Sequence, residues 1–204
     1  MKIAAGFLAG GLARRMGGGD KAEIQLAGRS LLDWQLAKTT HIDIRLINAN
    51  GPAARLAHYG LPVVADKLSG YLGPLAGIHA LLHHLQNVYP DITHLLSYAT
   101  DAPFVPADLD TQLIDAAKTE KAEIIIAASG GRHHPVFALW PVSLCAALEQ
   151  AIGEDEVRKI DAFTAGYHTA LVEFSGTPDP FMNINSPADL AKAEALISRS
   201  SLSE

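Results

Sequence analysis

Cysteine is almost absent from this chain of 204 residues. Its one cysteine, Cys145, excludes an internal disulfide and any zinc site built from cysteines. The residues around it, Leu144–Leu148, form a helix-like apolar run. A cysteine in such a run favours a buried structural thiol over a reactive one.

Long apolar runs are also missing. No stretch of the sequence approaches the roughly 18 apolar residues that a membrane span requires. The N-terminal run Ile3–Leu8 is short and breaks at Gly10 and Gly11, so it does not match a secretory signal. We therefore expect a soluble, cytoplasmic protein that does not bind membranes.

Positive charge is in deficit. The chain has 16 Lys and Arg against 22 Asp and Glu, which gives a formal net charge of -6. This balance argues against a broad footprint on a phosphate backbone, so nucleic acid is not an expected partner. A few local cations can still hold a small phosphate compound within an acidic protein.

Apolar residues and glycine are plentiful. Hydrophobic residues make up 49% of the chain, which is ample for a core, and the length predicts about one domain. The 17 Gly and 11 Pro, with only 19% charged residues, indicate many short, sharp connections. A disordered chain would show the opposite balance.

Short apolar runs alternate with helix-like segments along the chain. Strands are predicted at Ile3–Leu8, Ile42–Ile47, Leu61–Ala65, Ile92–Ala99, Glu123–Ala128, Val136–Trp140 and Ala170–Phe174. Helices are predicted at Ser30–Lys38, Ala53–His58, Pro74–Asn87, Asp108–Thr119, Val142–Ile152 and, after a capping box that starts at Ser186, Ala188–Ser198. The alternation predicts a three-layer α/β domain around a mostly parallel sheet, with a small lobe after about residue 130.

Four of the predicted strands end in glycine-rich or polar residues. The first opens into Ala9–Gly19, and the others lead to Asn48, Asp66 and Asp101. In open α/β sheets, ligands bind at the carboxyl ends of the strands. The sequence therefore predicts a binding site where these four strand ends meet.

The segment Ala9–Gly19 has the composition of a phosphate-binding loop. Glycine lets backbone N–H groups approach a phosphate without a Cβ collision, and Arg15 and Lys21 add cationic donors. The two commonest phosphate loops do not fit. A P-loop needs Lys and Ser or Thr after its second glycine, yet Gly11 is followed by Leu12, and the segment contains no Gly-x-Gly-x-x-Gly.

Several short motifs together resemble a known family. The first of them resemble the signature of nucleotidyltransferases that act on sugar phosphates and cofactors: Leu8-Ala9-Gly10-Gly11, Arg15-Met16-Gly17 and Asp20-Lys21. The rest make the chain most similar to the molybdenum cofactor guanylyltransferases, over roughly residues 3–197: Gly73-Pro74-Leu75-Ala76-Gly77, Asp101-x-Pro103, His134-Pro135 and Asn183-Ile184-Asn185-Ser186-Pro187. One departure is Ser186, where the family often has Thr.

The resemblance implies both a fold and a reaction. The fold would be a three-layer, Rossmann-like nucleotidyltransferase domain over residues 1–204, with a nucleotide-binding N-terminal half and an acceptor-binding C-terminal part. The reaction would transfer GMP from GTP to the phosphate of molybdopterin or the molybdenum cofactor and release pyrophosphate, with Mg²⁺ as cofactor. Molybdenum-insertion proteins and molybdoenzyme chaperones are further partners that the resemblance suggests.

The resemblance also assigns roles to residues. It implies that the nucleotide is bound by Leu8, Ala9, Gly10, Gly11, Lys21, Asn48, Asp66, Pro74, Leu75, Gly77 and Asp101. The acceptor would meet His134, Asn183 and Asn185. Catalysis would depend on Arg15, Lys21 and Asp101, and Asp101 would also bind Mg²⁺.

The expected reaction needs no protein base. The second pKa of a phosphate monoester is about 6, so the acceptor is largely dianionic at about pH 7. Catalysis then consists of positioning and charge stabilisation, with Lys21 and Arg15 offsetting the charge of the triphosphate. This suits a sequence without an obvious Ser-His-Asp or Cys-His arrangement.

Two other functions fit parts of the sequence. A cytidylyl- or sugar-phosphate nucleotidyltransferase would share the fold, but such relatives more often have Ala in place of Gly10. The smaller residue lets a purine edge approach the backbone, which favours guanine. A non-catalytic nucleotide-binding regulator would need no metal carboxylate, whereas this chain has both Lys21 and Asp101.

His79 and His83 are candidate ligands for a zinc site. The two histidines are spaced i,i+4 on one predicted helix, as zinc ligands often are. No third acidic or cysteine ligand is evident nearby in the sequence. We therefore interpret both histidines as structural.

Overall fold

The computed structural model describes residues 1–11, 19–68 and 73–200. The strands are β1 (Ile3–Leu8), β2 (Gln25–Leu26), β3 (Arg29–Ser30), β4 (Ile44–Asn48), β5 (Val63–Val64), β6 (His94–Ala99), β7 (Ile124–Ser129), β8 (Arg132–Pro141) and β9 (Thr169–Glu173). The α-helices are α1 (Leu31–Leu36), α2 (Pro74–Val88), α3 (Leu109–Thr119), α4 (Cys145–Gly153), α5 (Ile160–Thr164) and α6 (Pro187–Ser200). Short 3₁₀ helices lie at Lys21–Glu23, Ala53–Tyr59 and Val142–Leu144.

Seven strands form one central sheet in the order β5-β4-β1-β6-β8-β7-β9. β8 is antiparallel to both of its neighbours, β6 and β7, and the other pairs in this sheet are parallel. The predicted α/β class with a mostly parallel sheet is confirmed. The expectation of a small lobe after about residue 130 was wrong, because β8 and β9 belong to this same sheet.

Side chains that alternate along the strands divide the core into two layers. On β1, Ala5 and Phe7 face one layer, whereas Ala4 faces the other. The first layer is covered by α1 and α3, for example through Leu32 and Leu109. The second is covered by α2, α4 and α5. Helices therefore lie on both faces of the sheet, as the three-layer prediction required.

The strands on one side of the sheet end together. Leu8, the last residue of β1, is paired with Asn48 of β4 and with Ala99 of β6. Since these strands are parallel, the segments that follow them begin at the same edge of the sheet. This edge positions the site described below.

The start of the last helix confirms the predicted capping box. Ser186 Oγ accepts a hydrogen bond from Asp189 N at 3.2 Å. Asp189 Oδ2 in turn accepts from Ser186 Oγ and from Asn185 N. These bonds satisfy donors at the helix start and fix the backbone of Asn185.

Some elements differ from the sequence prediction. β2 and β3 form a hairpin that was not predicted, and its turn residues Ala27 and Gly28 both have positive φ, 50° and 77°. Turns of this kind usually carry Asn, Asp or Gly at the first position. Because Ala27 stands there, the sequence does not show the pattern that would have predicted a hairpin. Ala53–Tyr59 is a 3₁₀ helix, not an α-helix, and the five-residue α5 was not predicted.

The predicted burial of Cys145 is confirmed. Its side chain is enclosed at the start of α4, and burial raises the pKa of the thiol. A protonated, enclosed thiol is chemically inert.

In the described ranges, none of the helices is both long and apolar enough to cross a membrane.

Candidate active site

A pocket of about 400 Å³ opens at the carboxyl ends of β1, β4 and β6. Its volume is in the range of small-ligand sites. Its lining includes eight residues that were expected to bind the nucleotide: Leu8, Gly10, Gly11, Lys21, Asn48, Asp66, Pro74 and Asp101. The described lining also includes Gly73, whose backbone the family resemblance implies beside the guanine and ribose. Four further lining residues were not predicted: Asn50, Ala99, Thr100 and Val136.

Lys21 and Asp101 form an ion pair inside this pocket. Lys21 Nζ lies 2.6 Å from Asp101 Oδ2, and the two side chains are only 15% and 19% exposed. Lys21 begins the 3₁₀ helix that follows the predicted phosphate-binding loop Ala9–Gly19, hereafter the first loop. Asp101 follows β6. Because water is largely excluded from the pair, their attraction is stronger than that of a surface ion pair.

The second carboxylate oxygen of Asp101 is buried without a partner. Among the described residues, no group donates a hydrogen bond to Asp101 Oδ1. A buried acceptor left unpaired is costly unless a ligand or a cation satisfies it. Oxygen is the donor atom that a hard divalent cation prefers, so Asp101 fits as a ligand to such an ion.

An ion at Asp101 would need other ligands besides protein side chains. Within residues 1–11, 19–68 and 73–200, no group of three or more His, Cys, Asp or Glu could hold a metal. Mg²⁺ commonly binds through one or two carboxylates and is completed by water and substrate phosphates. The donor set around Asp101 is therefore compatible with Mg²⁺.

The backbone around Asp101 is held from two sides. Ile184 N donates to the Asp101 carbonyl oxygen at 2.7 Å. Gln35 Nε2, from α1, donates to the Ala102 carbonyl oxygen, and Lys38 Nζ, just beyond the end of α1, donates to the Pro103 carbonyl oxygen. Gln35 is fully buried, and burial lowers the pKa of Lys38 to about 8. These contacts fix the position of the carboxylate.

Two asparagines hold the carboxylate of Asp66. Asn48 Nδ2 donates to Asp66 Oδ1 at 2.8 Å, and Asn50 Nδ2 donates to Asp66 Oδ2 at 2.7 Å. Asp66 N also donates to Asn50 Oδ1 at 2.9 Å. These three residues are hereafter the Asp66 clamp. Asn50 was missed, although its spacing from Asn48 places it on the same side of an extended segment.

Gly77 lets helix α2 pack closely against Asn48 of the Asp66 clamp. It lies buried in α2. The pocket lining does not include Gly77, nor the buried residues Ala9 and Leu75, although all three were expected to bind the nucleotide. A Cβ at this position would overlap Asn48 Oδ1 and lie 2.9 Å from Leu8 Cδ2. Glycine is therefore required for α2 to pack this closely against Asn48.

The first loop is described only in part. Among the described residues, no atom lies within 4 Å of a Cβ built on Gly10, so they leave room for a ligand edge in this part of the pocket. Gly11 O accepts a hydrogen bond from Lys21 N at 3.2 Å, which ties the start of the loop to the lysine. Arg15, the third expected catalytic residue, lies outside the described residues.

Asn185 contacts the ammonium group of Lys21. Its Oδ1 accepts a hydrogen bond from Lys21 Nζ, the same atom that pairs with Asp101. Asn183 is exposed, and Ile184 between the two asparagines is buried. The structure therefore brings Asn185, which was expected to bind the acceptor, to the Lys21–Asp101 ion pair in this pocket.

His134 lies elsewhere on the sheet, in β8. Pro135 cannot donate to the ladder, and the pairing with β7 shifts register next to it. His134 Nε2 lies 2.8 Å from Ser129 Oγ, and the imidazole stacks on Phe181 with 4.4 Å between ring centroids. Burial lowers the pKa of His134, which favours the neutral ring at pH 7. Val136, further along the same strand, lines the pocket.

Comparison with known proteins confirms the resemblance seen in the sequence. A family model described as MobA-like NTP transferase domain matches residues 5–170. A molybdenum cofactor guanylyltransferase from Rhodopseudomonas palustris (strain BisB5) is 48% identical over 196 residues, which cover 95% of this chain and 93% of that protein. Another, from Bradyrhizobium sp. (strain ORS 278), is 46% identical over 192 residues, which cover 93% and 91%.

Solved structures agree with this assignment. The crystal structure of molybdopterin-guanine dinucleotide biosynthesis protein A from Archaeoglobus fulgidus has a TM-score of 0.80 to this chain at 27% identity. The match covers 96% of this chain and 99% of that one. The chain therefore carries a MobA-like NTP transferase domain and belongs to the molybdenum cofactor guanylyltransferase family.

Proposed function

We propose that this protein transfers GMP from GTP to the phosphate of molybdopterin or the molybdenum cofactor and releases pyrophosphate. The observation that carries the reaction class is the shielded Lys21–Asp101 pair in a pocket at the strand ends. The choice of guanine as the base and of the molybdenum cofactor as the acceptor rests on the names of relatives that are up to 48% identical. Both substrates carry phosphate, which suits a site with a partly buried lysine.

The nucleoside would lie against the Asp66 clamp. Each carboxylate oxygen of Asp66 accepts one hydrogen bond from an asparagine amide and keeps acceptor capacity for a donor on the ligand. Guanine and ribose both offer such donors. The open space at Gly10 leaves room for a purine edge close to the backbone.

The triphosphate would meet Lys21. A lysine ammonium has three N–H donors, and the described contacts with Asp101 and Asn185 use two of them. The third can donate to a phosphate oxygen. Lys21 is thus both fixed by its neighbours and able to offset charge that develops on the leaving pyrophosphate.

Asp101 Oδ1 would hold a divalent cation, which we propose is Mg²⁺. When bound, the ion would act as a Lewis acid that stabilises negative charge on the phosphate groups. The chain contributes a carboxylate whose backbone is held in place by Gln35, Lys38 and the Ile184 amide. Because Lys21 pairs with Oδ2, Oδ1 is the carboxylate oxygen that remains for an ion.

The transfer step requires no proton abstraction by the protein. An oxygen of the acceptor phosphate attacks the α-phosphorus of GTP and forms the new P–O bond. The bond from the α-phosphorus to its bridging oxygen breaks, and the electron pair leaves with pyrophosphate. We propose that Asn185, beside Lys21, adjoins the place where the acceptor phosphate enters, with His134 and Asn183 further out.

Nucleotide specificity and product release together test this proposal. Thermal unfolding in MgCl₂ with GTP, CTP, ATP or UTP should show the largest stabilisation with GTP. Pyrophosphate should form only when GTP, acceptor and Mg²⁺ are all present, and EDTA should stop it. Preferential stabilisation by CTP would favour a cytidylyltransferase instead, and GTP binding without pyrophosphate release would favour a non-catalytic regulator.

A further inference from the structure

Arg55 connects two parts of the pocket without lining it. It lies in the 3₁₀ helix Ala53–Tyr59, and its side chain is 30% exposed. Its guanidinium makes contacts in two directions, towards the first loop and towards the segment after β4. Neither the sequence motifs nor the proposed mechanism assigns it a role.

Towards the first loop, Arg55 pairs with Asp20. Arg55 Nε donates to Asp20 Oδ2, and the Asp20 side chain is only 13% exposed. Asp20 immediately precedes Lys21, whose ammonium pairs with Asp101. The position of Arg55 therefore constrains the residue next to the phosphate-binding lysine.

Towards the segment after β4, Arg55 holds the backbone of the Asp66 clamp. Arg55 Nη1 donates to Asn50 O at 2.5 Å and to Pro52 O at 3.3 Å. Gly51, between these carbonyls, has a φ of +87°, and a Cβ there would lie 3.0 Å from Nη1. The turn is thus shaped to admit the guanidinium.

We propose that Arg55 is a positioning residue that couples the Asp66 clamp to Lys21. It would keep the groups that bind the nucleoside at a fixed position relative to the lysine that binds the triphosphate. The inference rests on the proposed function, because it takes the clamp and Lys21 to bind two parts of one nucleotide. Only a planar fork of N–H donors reaches both sides, so lysine at this position cannot substitute fully.

Binding of GTP and GMP to matched variants tests the coupling. Arg55→Ala should weaken GMP binding about fivefold through the clamp, and GTP binding by a further factor of about five through Lys21. Asp20→Asn, which keeps the side-chain shape, should weaken GTP about fivefold and spare GMP. In a Lys21→Ala background, Arg55→Ala should weaken GTP only as much as it weakens GMP.

Three outcomes would overturn the proposal. One is an equal loss of GTP and GMP in Arg55→Ala, which would confine Arg55 to the clamp. Another is unchanged GMP binding, which would confine it to the first loop. The third is the same extra loss of GTP in the Lys21→Ala background, which would leave no coupling between the two residues.

Controls separate this result from misfolding and from failure of the proposed function. Arg45→Ala removes an arginine of β4 that contacts Leu36 O, outside the pocket, and should change neither affinity. If Arg55→Ala unfolds, Arg55→Lys and Asp20→Asn provide the same comparison of triphosphate and monophosphate. If the wild type prefers another base, the proposed function fails, and the variants are compared with that base's tri- and monophosphate.

Discussion

Asp101 presents its two carboxylate oxygens to different surroundings. Oδ2 is paired with Lys21, and Oδ1 is buried without a partner among the described residues. Lys21 also contacts Asn185, so one ammonium group connects the strand end, the first loop and the segment before α6. At the scale of single residues, the site is therefore a small set of charges that are fixed in place before a ligand arrives, as catalysis by positioning requires.

Asp101→Asn tests the metal assignment. The amide keeps the shape of the side chain and can still bond Lys21, but it removes the negative charge that a divalent cation needs. We expect transfer to fall well over tenfold, which corresponds to more than about 1.4 kcal/mol of transition-state stabilisation. The thermal unfolding midpoint should change little. Activity above about a tenth of wild type would assign the ion to other groups.

A comparison of Asn185→Ala with Asn183→Ala tests how much the contact between Asn185 and Lys21 contributes to GTP binding. Sequence alone assigned both asparagines to the acceptor, but only Asn185 has a described contact with Lys21. We expect Asn185→Ala to weaken GTP binding about fivefold, since one hydrogen bond contributes about 1 kcal/mol. Asn183→Ala, an exposed residue of the same type, should leave GTP titrations unchanged. Equal GTP affinity in the two variants would return Asn185 to an acceptor-only role.

At the scale of elements, α2 and the strands β1 and β4 are fitted to each other at one point. α2 buries most of its side chains against the sheet, and Gly77 is where it comes closest to Asn48 and Leu8. The packing of a core helix therefore sets the position of one member of the Asp66 clamp. This couples the stability of the fold to the geometry of the site.

Gly77→Ala should oppose the usual trend for glycine in helices. Replacing a helical glycine with alanine ordinarily stabilises a helix by about 1 kcal/mol. Here the added methyl group would displace Asn48 or Leu8, so we expect lower stability, by about 1–3 kcal/mol as for an overpacked core, and weaker GTP binding. Urea unfolding and GTP titration measure the two effects.

Gly153→Ala is the matched control for that substitution. Gly153 ends α4, and a Cβ there would meet no atom of the described residues within 4 Å. This variant should be as stable as wild type or more so, and it should bind GTP normally. If Gly77→Ala behaved in the same way, the close approach of α2 to Asn48 would not constrain the site.

At the scale of the whole molecule, the sheet and the location of its site followed from the sequence, because apolar runs and the polar residues after them are local signals. Asn48, Asp66 and Asp101 could be predicted to meet, since parallel strands end at one edge. The partners of Arg55 and Asn185 could not. Their contacts span 35 and 164 residues and depend on how loops fold over the sheet edge, which no local pattern encodes.

Global stability should depend on pH through Lys38. Burial lowers its pKa to about 8 from 10.5. Below about pH 8 the lysine is protonated in both the folded and unfolded chain, and the folded state bears the full cost of burying the charge. Between about pH 8 and 10.5 the folded chain releases this proton first, so the unfolded chain binds more protons and the free energy of unfolding rises with pH.

Lys38→Met removes the charge while keeping most of the apolar stem, so it isolates this contribution. We expect the variant to exceed wild type in the free energy of unfolding at pH 7 by on the order of 1–3 kcal/mol, less whatever the lost bond to Pro103 O contributes. The difference should shrink steadily between about pH 8 and 10.5, because wild type is relieved of the charge over that interval. Urea unfolding across this range measures the difference, and Lys118→Met, which removes a lysine from an exposed ion pair with Asp115, is the control for loss of a lysine charge at the surface. A difference between Lys38→Met and wild type that stays constant with pH would mean that Lys38 titrates in the folded protein as it does in the unfolded chain.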